Sequence, residues 1–216
     1  MISSCEIDNY DEPNAFFQGT ITYNGDPIRV GANEVRFQLF QPGFGNSGPF
    51  DVNLDLNGSF SGRLSNGEVK VKFIDGQGPF KAKFVNEQQG DTIFVPLNGD
   101  TVMDIEVLPY YMVRNPQFGK AGNNITASVS LEKILTGDDG RDVESVTLFL
   151  NATTLVSNNG DYNIAQSNAD LGDLSNLDFS TAIPDNYNDP YIFARVGVKI
   201  VGVEDLIFSP VEKIAL

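Results

Sequence analysis

The chain has 216 residues, 41% of them hydrophobic, which is enough to build the core of one large domain or of two smaller domains. The formal net charge of −15 argues against binding nucleic acid or anionic lipids through charge. Histidine is absent and there is one cysteine, which excludes zinc sites and Ser/His or Cys/His catalysis.

The first fourteen residues show neither alternation nor a helical period, so we expect them to form a tether. Within it, Ile2-Ser3-Ser4-Cys5 resembles the end of a bacterial lipoprotein signal, in which a small residue precedes a cysteine that becomes acylated. We therefore predict lipidation at Cys5, and the alternative is a chance cysteine in an irregular terminus. The hydrophobic segment of such a signal does not precede Met1, so we expect the chain to be a shortened form.

Residues 15–108 contain seven or eight short segments that alternate apolar and polar residues, as β-strands do. The clearest is Glu34–Phe40, which places Val35, Phe37 and Leu39 on one face. The other predicted strands are Phe17–Tyr23, Phe50–Leu56, Ser59–Gly62, Glu68–Phe73, Phe80–Val85, Thr92–Val95 and Thr101–Leu108. Turn residues separate them and no segment has a helical period, which predicts an antiparallel β-sandwich.

The glycines and turn residues of this half occur in a recognisable order along the chain. Gly19-Thr20-Ile21 precedes the turn Asn24-Gly25-Asp26-Pro27, and Asn57-Gly58 is a favourable hairpin turn. Together with Ala32, Val35, Leu64 and Gly67, this set resembles the carboxypeptidase-regulatory-like, or transthyretin-like (prealbumin-like), β-sandwich. The resemblance implies that fold for residues 15–108.

Two prolines bracket Pro109–Pro116, which predicts a junction between domains. Beyond it, strands are predicted at Asn124–Leu131, Val143–Leu150, Tyr191–Ile200 and Leu206–Ile214. We expect the Asn/Asp-rich region Asn158–Asn188 to be a loop with a short strand or one helical turn. The pattern predicts an immunoglobulin-like sandwich without a disulfide, so the fold is all-β, with a tether at 1–14 and domains at 15–108 and 109–216.

The order of these parts is similar to one family. The matching residues are Cys5, Asp8, Asn9, Tyr10, Asp11 and Pro13, followed by the Gly19–Ile28 pattern and Val107–Pro109. They resemble two-domain lipoproteins of uncharacterised function, encoded beside SusC/SusD-type glycan-uptake systems of Gram-negative bacteria. The resemblance implies an outer-membrane location, at the cell surface or the periplasmic face, with polysaccharide and SusC/SusD-type proteins as partners. It carries over no catalytic residues.

Paired carboxylates are the one catalytic option left, because glycosidases need only two. No two of the 29 acidic residues are marked as buried and facing each other, so we expect no enzyme and no cofactor. Asp138–Asp142 and Asp185–Asp189 offer oxygen ligands for calcium but lack the spacing of an EF-hand loop. We interpret both as turns and predict no metal site.

Aromatic side chains are the remaining candidates for ligand binding, because rings stack on the apolar faces of sugars. The chain has no Trp, and most of its 16 Phe fall at inward strand positions. The candidates are Tyr110, Tyr111, Tyr187 and Tyr191, with Phe44 a further one in a Gly-rich loop. The predicted function is a non-catalytic accessory module of polysaccharide uptake, and the alternative is a protein-interaction module that uses exposed strand edges.

Overall fold

The structure is a computed structural model that describes residues 12–43 and 48–216. The predicted lipidation site Cys5 and the candidate Phe44 lie outside these described residues. The described chain folds almost entirely into β-strands that form two sandwiches, so the predicted all-β, two-sandwich fold is confirmed.

The first sandwich contains ten strands, several of them very short. They are β1 (Ala15–Tyr23), β2 (Asp26–Pro27), β3 (Arg36–Phe40), β4 (Phe50–Asn53), β5 (Ser59–Leu64), β6 (Gly67–Phe73), β7 (Phe80–Ala82), β8 (Ile93–Leu97), β9 (Thr101–Val102) and β10 (Ile105–Pro109). One sheet has the order β2-β1-β10-β7, and β5 and β9 also pair with β1. The other has the order β4-β3-β6-β8. Strand β1 therefore lies at the centre of the first of these two sheets.

The second sandwich is built from longer strands. They are β11 (Tyr111–Ala121), β12 (Asn124–Lys133), β13 (Val143–Asn151), β14 (Ala165–Asn168), β15 (Leu177–Ala182), β16 (Tyr191–Ile200), β17 (Ile207–Phe208) and β18 (Glu212–Ala215). A sheet of order β11-β12-β15 faces a sheet of order β14-β13-β16-β17, in which β18 also pairs with β16. Two short 3-10 turns, Gly137–Asp139 and Gly160–Tyr162, complete this half.

Two predictions about the second half need correction. The junction is much shorter than Pro109–Pro116, because β10 ends at Pro109 and β11 begins at Tyr111. A bulge at Arg114–Gln117 lets Pro116 remain within β11 without interrupting the hydrogen bonds on either side. The region Asn158–Asn188 contains the helical turn Gly160–Tyr162 and two strands, β14 and β15, where a single short strand or one helical turn was expected; in β15 the alternating Leu177 and Phe179 bury their side chains despite the polar composition around them.

The core of the first sandwich is a continuous line of aromatic rings. Phe17 packs on Phe60 with 5.1 Å between ring centroids, and Phe60 packs on Phe37 at 5.0 Å. Phe37 then contacts Phe73 at 5.7 Å, and Phe73 contacts Phe80 at 5.2 Å. The line crosses from one sheet to the other and back, and each edge-to-face pair contributes about 0.5–1.5 kcal/mol beyond area burial.

A buried cation joins the two sandwiches. Arg195, on β16, has no exposed surface, and its Nε donates to the carbonyl of Ser209 at 2.9 Å. Its two terminal nitrogens donate across the domain boundary, to Val30 O at 2.9 Å and to Leu56 O at 2.8 Å. Its guanidinium also lies 4.3 Å from the ring centroid of Phe208. Burial lowers the pKa of Arg195 to about 9, a value at which it remains charged at neutral pH.

Candidate functional site: a polar groove on the first sandwich

An open groove of about 490 Å³ lies on the outer face of the first sandwich. This volume is that expected of a site for a small molecule or a sugar. Its floor is formed by β5 and its walls by β1, by the segment around β9 and by two loops. We call it the β1–β5 groove, and its lining consists of Gln18, Gly19, Thr20, Asn33, Asn53, Asp55, Ser59, Phe60, Ser61, Val102 and Asp104.

Strand alternation places polar side chains along the floor and one wall. In the β1–β5 pair, Gln18 lies opposite Ser61 and Thr20 lies opposite Ser59. Because the buried Phe17 and Phe60 occupy the intervening positions, these four polar residues all face outward. The same alternation therefore builds the aromatic core on one side of the sheet and the groove on the other.

Gly19 allows the wall near β9 to approach β1. A Cβ at this position would lie 1.9 Å from the carbonyl oxygen of Met103, so only glycine fits without moving the backbone. The amide of Met103 donates to Gln18 O at 2.9 Å, and the amide of Thr20 donates to the Asp104 carboxylate at 2.9 Å. These bonds fix Asp104 and Val102 at the rim of the groove.

The opposite wall depends on the turn that precedes β5. The Asp55 carboxylate accepts bonds from the amides of Asn57 and Ser59, at 2.8 and 2.9 Å. Gly58 has a φ of +76°, and a Cβ there would lie 2.1 Å from Ile28 O. The turn thus holds Asp55 at the edge of the groove and, through Gly58, packs against the neighbouring loop.

The lining favours binding over acid–base chemistry. Its exposed groups are amides, hydroxyls and two carboxylates, and the described residues of the lining include neither lysine nor arginine. Both carboxylates are exposed and accept bonds from backbone amides, so each serves the local structure. A glycosidase acid is normally held in an environment that disfavours its charge, and these exposed positions do not provide one.

The structure buries two of the four tyrosines predicted as ligand contacts. Tyr110 and Tyr111 are 6% and 2% exposed, and the hydroxyl of Tyr111 donates to Arg141 O at 2.9 Å. Neither ring therefore presents a face to a ligand in this conformation. Two tyrosines beside a proline suggested an exposed binding surface, but aromatic residues in this position are also typical of packed domain junctions.

The other two tyrosines lie together at the edge of the second sandwich, far in sequence from the groove. The Tyr187 hydroxyl donates to Tyr191 O at 2.8 Å, and both side chains are half-buried. The ammonium of Lys213 lies 3.7 Å from the ring centroid of Tyr191, and Phe193 packs against the same ring. One ring face is thus occupied by a cation of the chain itself, and ligand binding here stays a prediction.

A pair of partly buried carboxylates lies at the joint between the sandwiches, outside the groove. Glu34 accepts a bond from the Ser157 hydroxyl at 3.3 Å, and the amide of Asp205 donates to Gln77 O at 3.0 Å. Each carboxylate has one buried oxygen without a hydrogen-bond partner among the described residues. Burial raises the pKa of Glu34, and burial followed by repulsion from Glu204 and Glu34 raises the pKa of Asp205 to about 6.

The two acidic loops form turns. Asp139 pairs with Lys81 of the first sandwich, and Asp142 lies 3.6 Å from the ammonium of Lys133. In the second loop, the amide of Tyr187 donates to Pro184 O at 2.9 Å, as in a reverse turn. Within residues 12–43 and 48–216, no three His, Cys, Asp or Glu side chains are grouped as a metal site would require. The same residues include no helix long and apolar enough to cross a membrane.

The sequence interpretation missed the groove altogether. Most of its residues are common polar ones, and they come from five separate stretches between Gln18 and Asp104. The only local signals were Gly19 and the Asn57-Gly58 turn, both of which we used to predict the fold. An assembly of this kind becomes visible only when the strand pairing is known.

Two family models together match nearly the whole chain. Residues 15–108 match the protein of unknown function (DUF3823) N-terminal domain, and residues 111–213 match the domain of unknown function (DUF3823_C). The chain therefore belongs to the DUF3823 family and has both of its domains. The predicted membership of an uncharacterised two-domain family is confirmed, whereas its link to SusC/SusD-type systems stays a prediction. No curated protein matches the chain.

Solved structures support the same assignment. A DUF3823 family protein from Bacteroides ovatus is 29% identical, with a TM-score of 0.81 over 94% of this chain and 99% of that one. Another from Parabacteroides merdae is 28% identical, also with a TM-score of 0.81, over 94% of this chain and 100% of that one. A Bacteroides uniformis structure, described as a "putative carbohydrate binding protein", is 21% identical, with a TM-score of 0.70 over 94% and 100% of the two chains.

Proposed function

We propose that the protein is a non-catalytic, carbohydrate-binding accessory lipoprotein of a polysaccharide-uptake system. In this proposal, Cys5 carries the lipid anchor and residues 6–14 separate the sandwiches from the outer membrane. The two sandwiches act beside SusC/SusD-type proteins and present the β1–β5 groove to glycan chains. The observation that carries the proposal is this groove, with its exposed amides, hydroxyls and carboxylates around a preformed concavity.

The chemistry of the groove favours particular sugars. Sugar hydroxyls donate to carboxylates and both donate to and accept from amides and hydroxyls, so the lining suits a polyhydroxylated ligand. Two carboxylates without a basic neighbour in the lining disfavour uronic acids and sulfated sugars. The proposed ligands are therefore neutral glycans or glycans that contain amino sugars.

Two further observations support the proposal. The Bacteroides uniformis protein described as a putative carbohydrate binding protein shares the fold from end to end. The exposed carboxylates of the groove, Asp55 and Asp104, accept hydrogen bonds from backbone amides. This arrangement fits a binding module better than a hydrolase. The proposed absence of catalysis rests on this second point.

Affinity electrophoresis through gels containing neutral, uronate-rich or sulfated polysaccharides tests the proposal. We expect retardation by at least one neutral glycan and none by the anionic ones. Gln18→Ala and Asn53→Ala each remove an exposed hydrogen-bonding group, so each should weaken binding about 5–10-fold, corresponding to about 1 kcal/mol.

Gln117→Ala is the matched control, because Gln117 is an exposed glutamine on the second sandwich, away from the groove. It should leave retardation unchanged. If no polysaccharide retards the protein, the carbohydrate-binding proposal is wrong. Equal losses in Gln18→Ala and Gln117→Ala would show that binding, if present, does not use the groove.

A protein-interaction module is the second candidate, and one loop favours it. Phe84 and Val85 are 65% and 45% exposed beside a tight turn closed by bonds between Asn86 and Gly90. Adjacent exposed apolar side chains of this kind favour a contact with another protein. A pull-down with the SusC/SusD-type proteins tests this function. It would be favoured if the parent protein binds them but binds no polysaccharide, and if Phe84→Ala loses that binding.

A further inference from the structure

We infer that the ligand site extends beyond the groove along the whole of β5 and takes a linear chain of several sugar rings. This inference rests on the proposed function and specifies the form of the ligand. A second concavity, of about 270 Å³, lies at the other end of β5. Its lining consists of Pro13, Gln41, Gly48, Phe50, Arg63, Leu64 and Ser65. We call the combined surface from Ser59 to Ser65 the β5 track.

The two concavities are connected by strand geometry. Gln18 and Ser61 are opposite one another and both line the β1–β5 groove. The next outward-facing pair of β1 and β5, two residues further along both strands, is Phe16 opposite Arg63. Arg63 lines the second concavity, so this pair occupies the surface between the two.

Exposed apolar rings lie where a sugar chain would pass. Phe16 is 44% exposed at the middle of the β5 track, and Phe50 is 39% exposed at its far end. The alternation of β1 directs Phe16 outward, whereas Phe50 shares the inner face of β4 with Val52 and is exposed because it lies at the end of that strand, where it lines the second concavity. Pyranose rings have apolar C–H faces and polar edges, so exposed rings interspersed with hydroxyl, amide and carboxylate groups fit successive units of a chain.

The length of the β5 track decides between a single sugar and a chain. From Ser59 to Ser65 the chain advances six residues, which corresponds to about 20 Å in an extended strand. A single sugar ring would fill only the groove and leave the two phenylalanines without contact. A linear oligosaccharide would contact both concavities, including Phe50 in the second, and the Phe16 ring between them.

Isothermal titration calorimetry with neutral linear oligosaccharides of two to six units tests the inference. The probes are β-glucan, xylan and mannan oligosaccharide series. For the series that binds, we expect affinity to rise at least tenfold from two to six units. Phe16→Ala should lower the affinity for the hexasaccharide about tenfold and leave that for the disaccharide unchanged.

Phe84→Ala is the control, since it removes an exposed phenylalanine from a loop away from the β5 track. It should alter neither affinity, and denaturant unfolding should show both variants to be folded. An affinity that does not rise with chain length would overturn the inference and leave the proposed function standing. Equal losses of the short and long ligands in Phe16→Ala would also overturn it. Absence of binding at every length would instead count against the proposed function.

Discussion

Two surface depressions of similar size show how differently the sandwiches use their strands. The β1–β5 groove, of about 490 Å³, is walled by strands and loops from separate parts of the first sandwich. On the second sandwich, a depression of about 420 Å³ lies over β11, β12 and β15, which are neighbours in one sheet. The second depression therefore has a floor but no opposing wall.

The cause is strand length. In the first sandwich β2 and β9 have two residues each and β7 has three, so the chain leaves its sheets often and its loops form walls. In the second, β11, β12 and β16 have 11, 10 and 10 residues and keep the chain within its sheets for longer. The walled groove of this protein therefore lies on the sandwich whose strands are more often interrupted by loops.

The largest expected loss of stability comes from removing the contacts of Arg195 that link the second sandwich to the first. Arg195→Met keeps much of the buried volume but leaves the carbonyls of Val30, Leu56 and Ser209 without their donor. Each buried unsatisfied group costs about 1–3 kcal/mol, so we expect a loss of about 3–5 kcal/mol in the free energy of unfolding, measured by urea denaturation.

Arg63→Met provides the control for that experiment, because it makes the same substitution at an exposed position. It should change the free energy of unfolding by less than about 0.5 kcal/mol. If Arg195→Met were equally mild, the buried guanidinium would not be what holds the two sandwiches together.

A smaller loss of stability is expected from glycine substitutions in two turns, one packed against a neighbouring loop and one open to solvent. Gly58→Ala would force a Cβ within 2.1 Å of Ile28 O at a φ of +76°, and should cost about 2–4 kcal/mol. Gly122→Ala, in the β11–β12 turn, has a φ of +61° with no atom within 4 Å of the added Cβ, and should cost about 1 kcal/mol. Thermal unfolding of both variants makes the comparison, and equal costs would contradict it.

The smallest effect concerns pH. The pKa of Asp205 is raised from 3.8 to about 6 in the folded protein, so the folded state binds its proton more tightly. Its contribution is fully present below about pH 4 and is lost as the pH rises through about 6. Asp205→Asn should therefore be more stable than the parent by about 1 kcal/mol at pH 7.5, allowing for solvent screening, and equally stable at pH 4.

Urea denaturation at the two pH values measures this difference. Asp138→Asn, which removes an exposed carboxylate from the Gly137–Asp139 turn, is the matched control for the loss of one negative charge. A stability difference for Asp205→Asn that is the same at both pH values would rule out the buried carboxylate as its source.

The fold was largely predictable because alternation is a local signal. The Glu34–Phe40 pattern correctly placed Phe37 and Leu39 inward, and Tyr191–Ile200 is a strand with the predicted bounds. The prediction was incomplete at Asn158–Asn188, where a helical turn is present at Gly160–Tyr162 but polar residues on the exposed faces of β14 and β15 concealed that there are two short strands as well. Apolar residues at only two or three positions do not distinguish a short edge strand from a loop.

The candidate site was hardly predictable, because its parts meet only through long-range pairing. Asp104 lies beside Thr20 across 84 residues of sequence, and Arg195 lies against Val30 across 165. Aromatic content pointed to Tyr110 and Tyr111, which are buried at the joint. A tyrosine's burial depends on which strands pair around it, and composition does not contain that information.

Tyr110 is the only residue between the last strand of one sandwich and the first strand of the other. Its amide donates to Pro79 O at 3.1 Å in the first sandwich, and its carbonyl accepts from the amide of Ile134 at 3.0 Å in the second. Rotation about its backbone would break a bond on one side or the other, so the chain has no hinge at this point. Ligand capture by closing one domain onto the other is thereby disfavoured. A glycan would have to be recognised by a surface whose shape is set before it arrives.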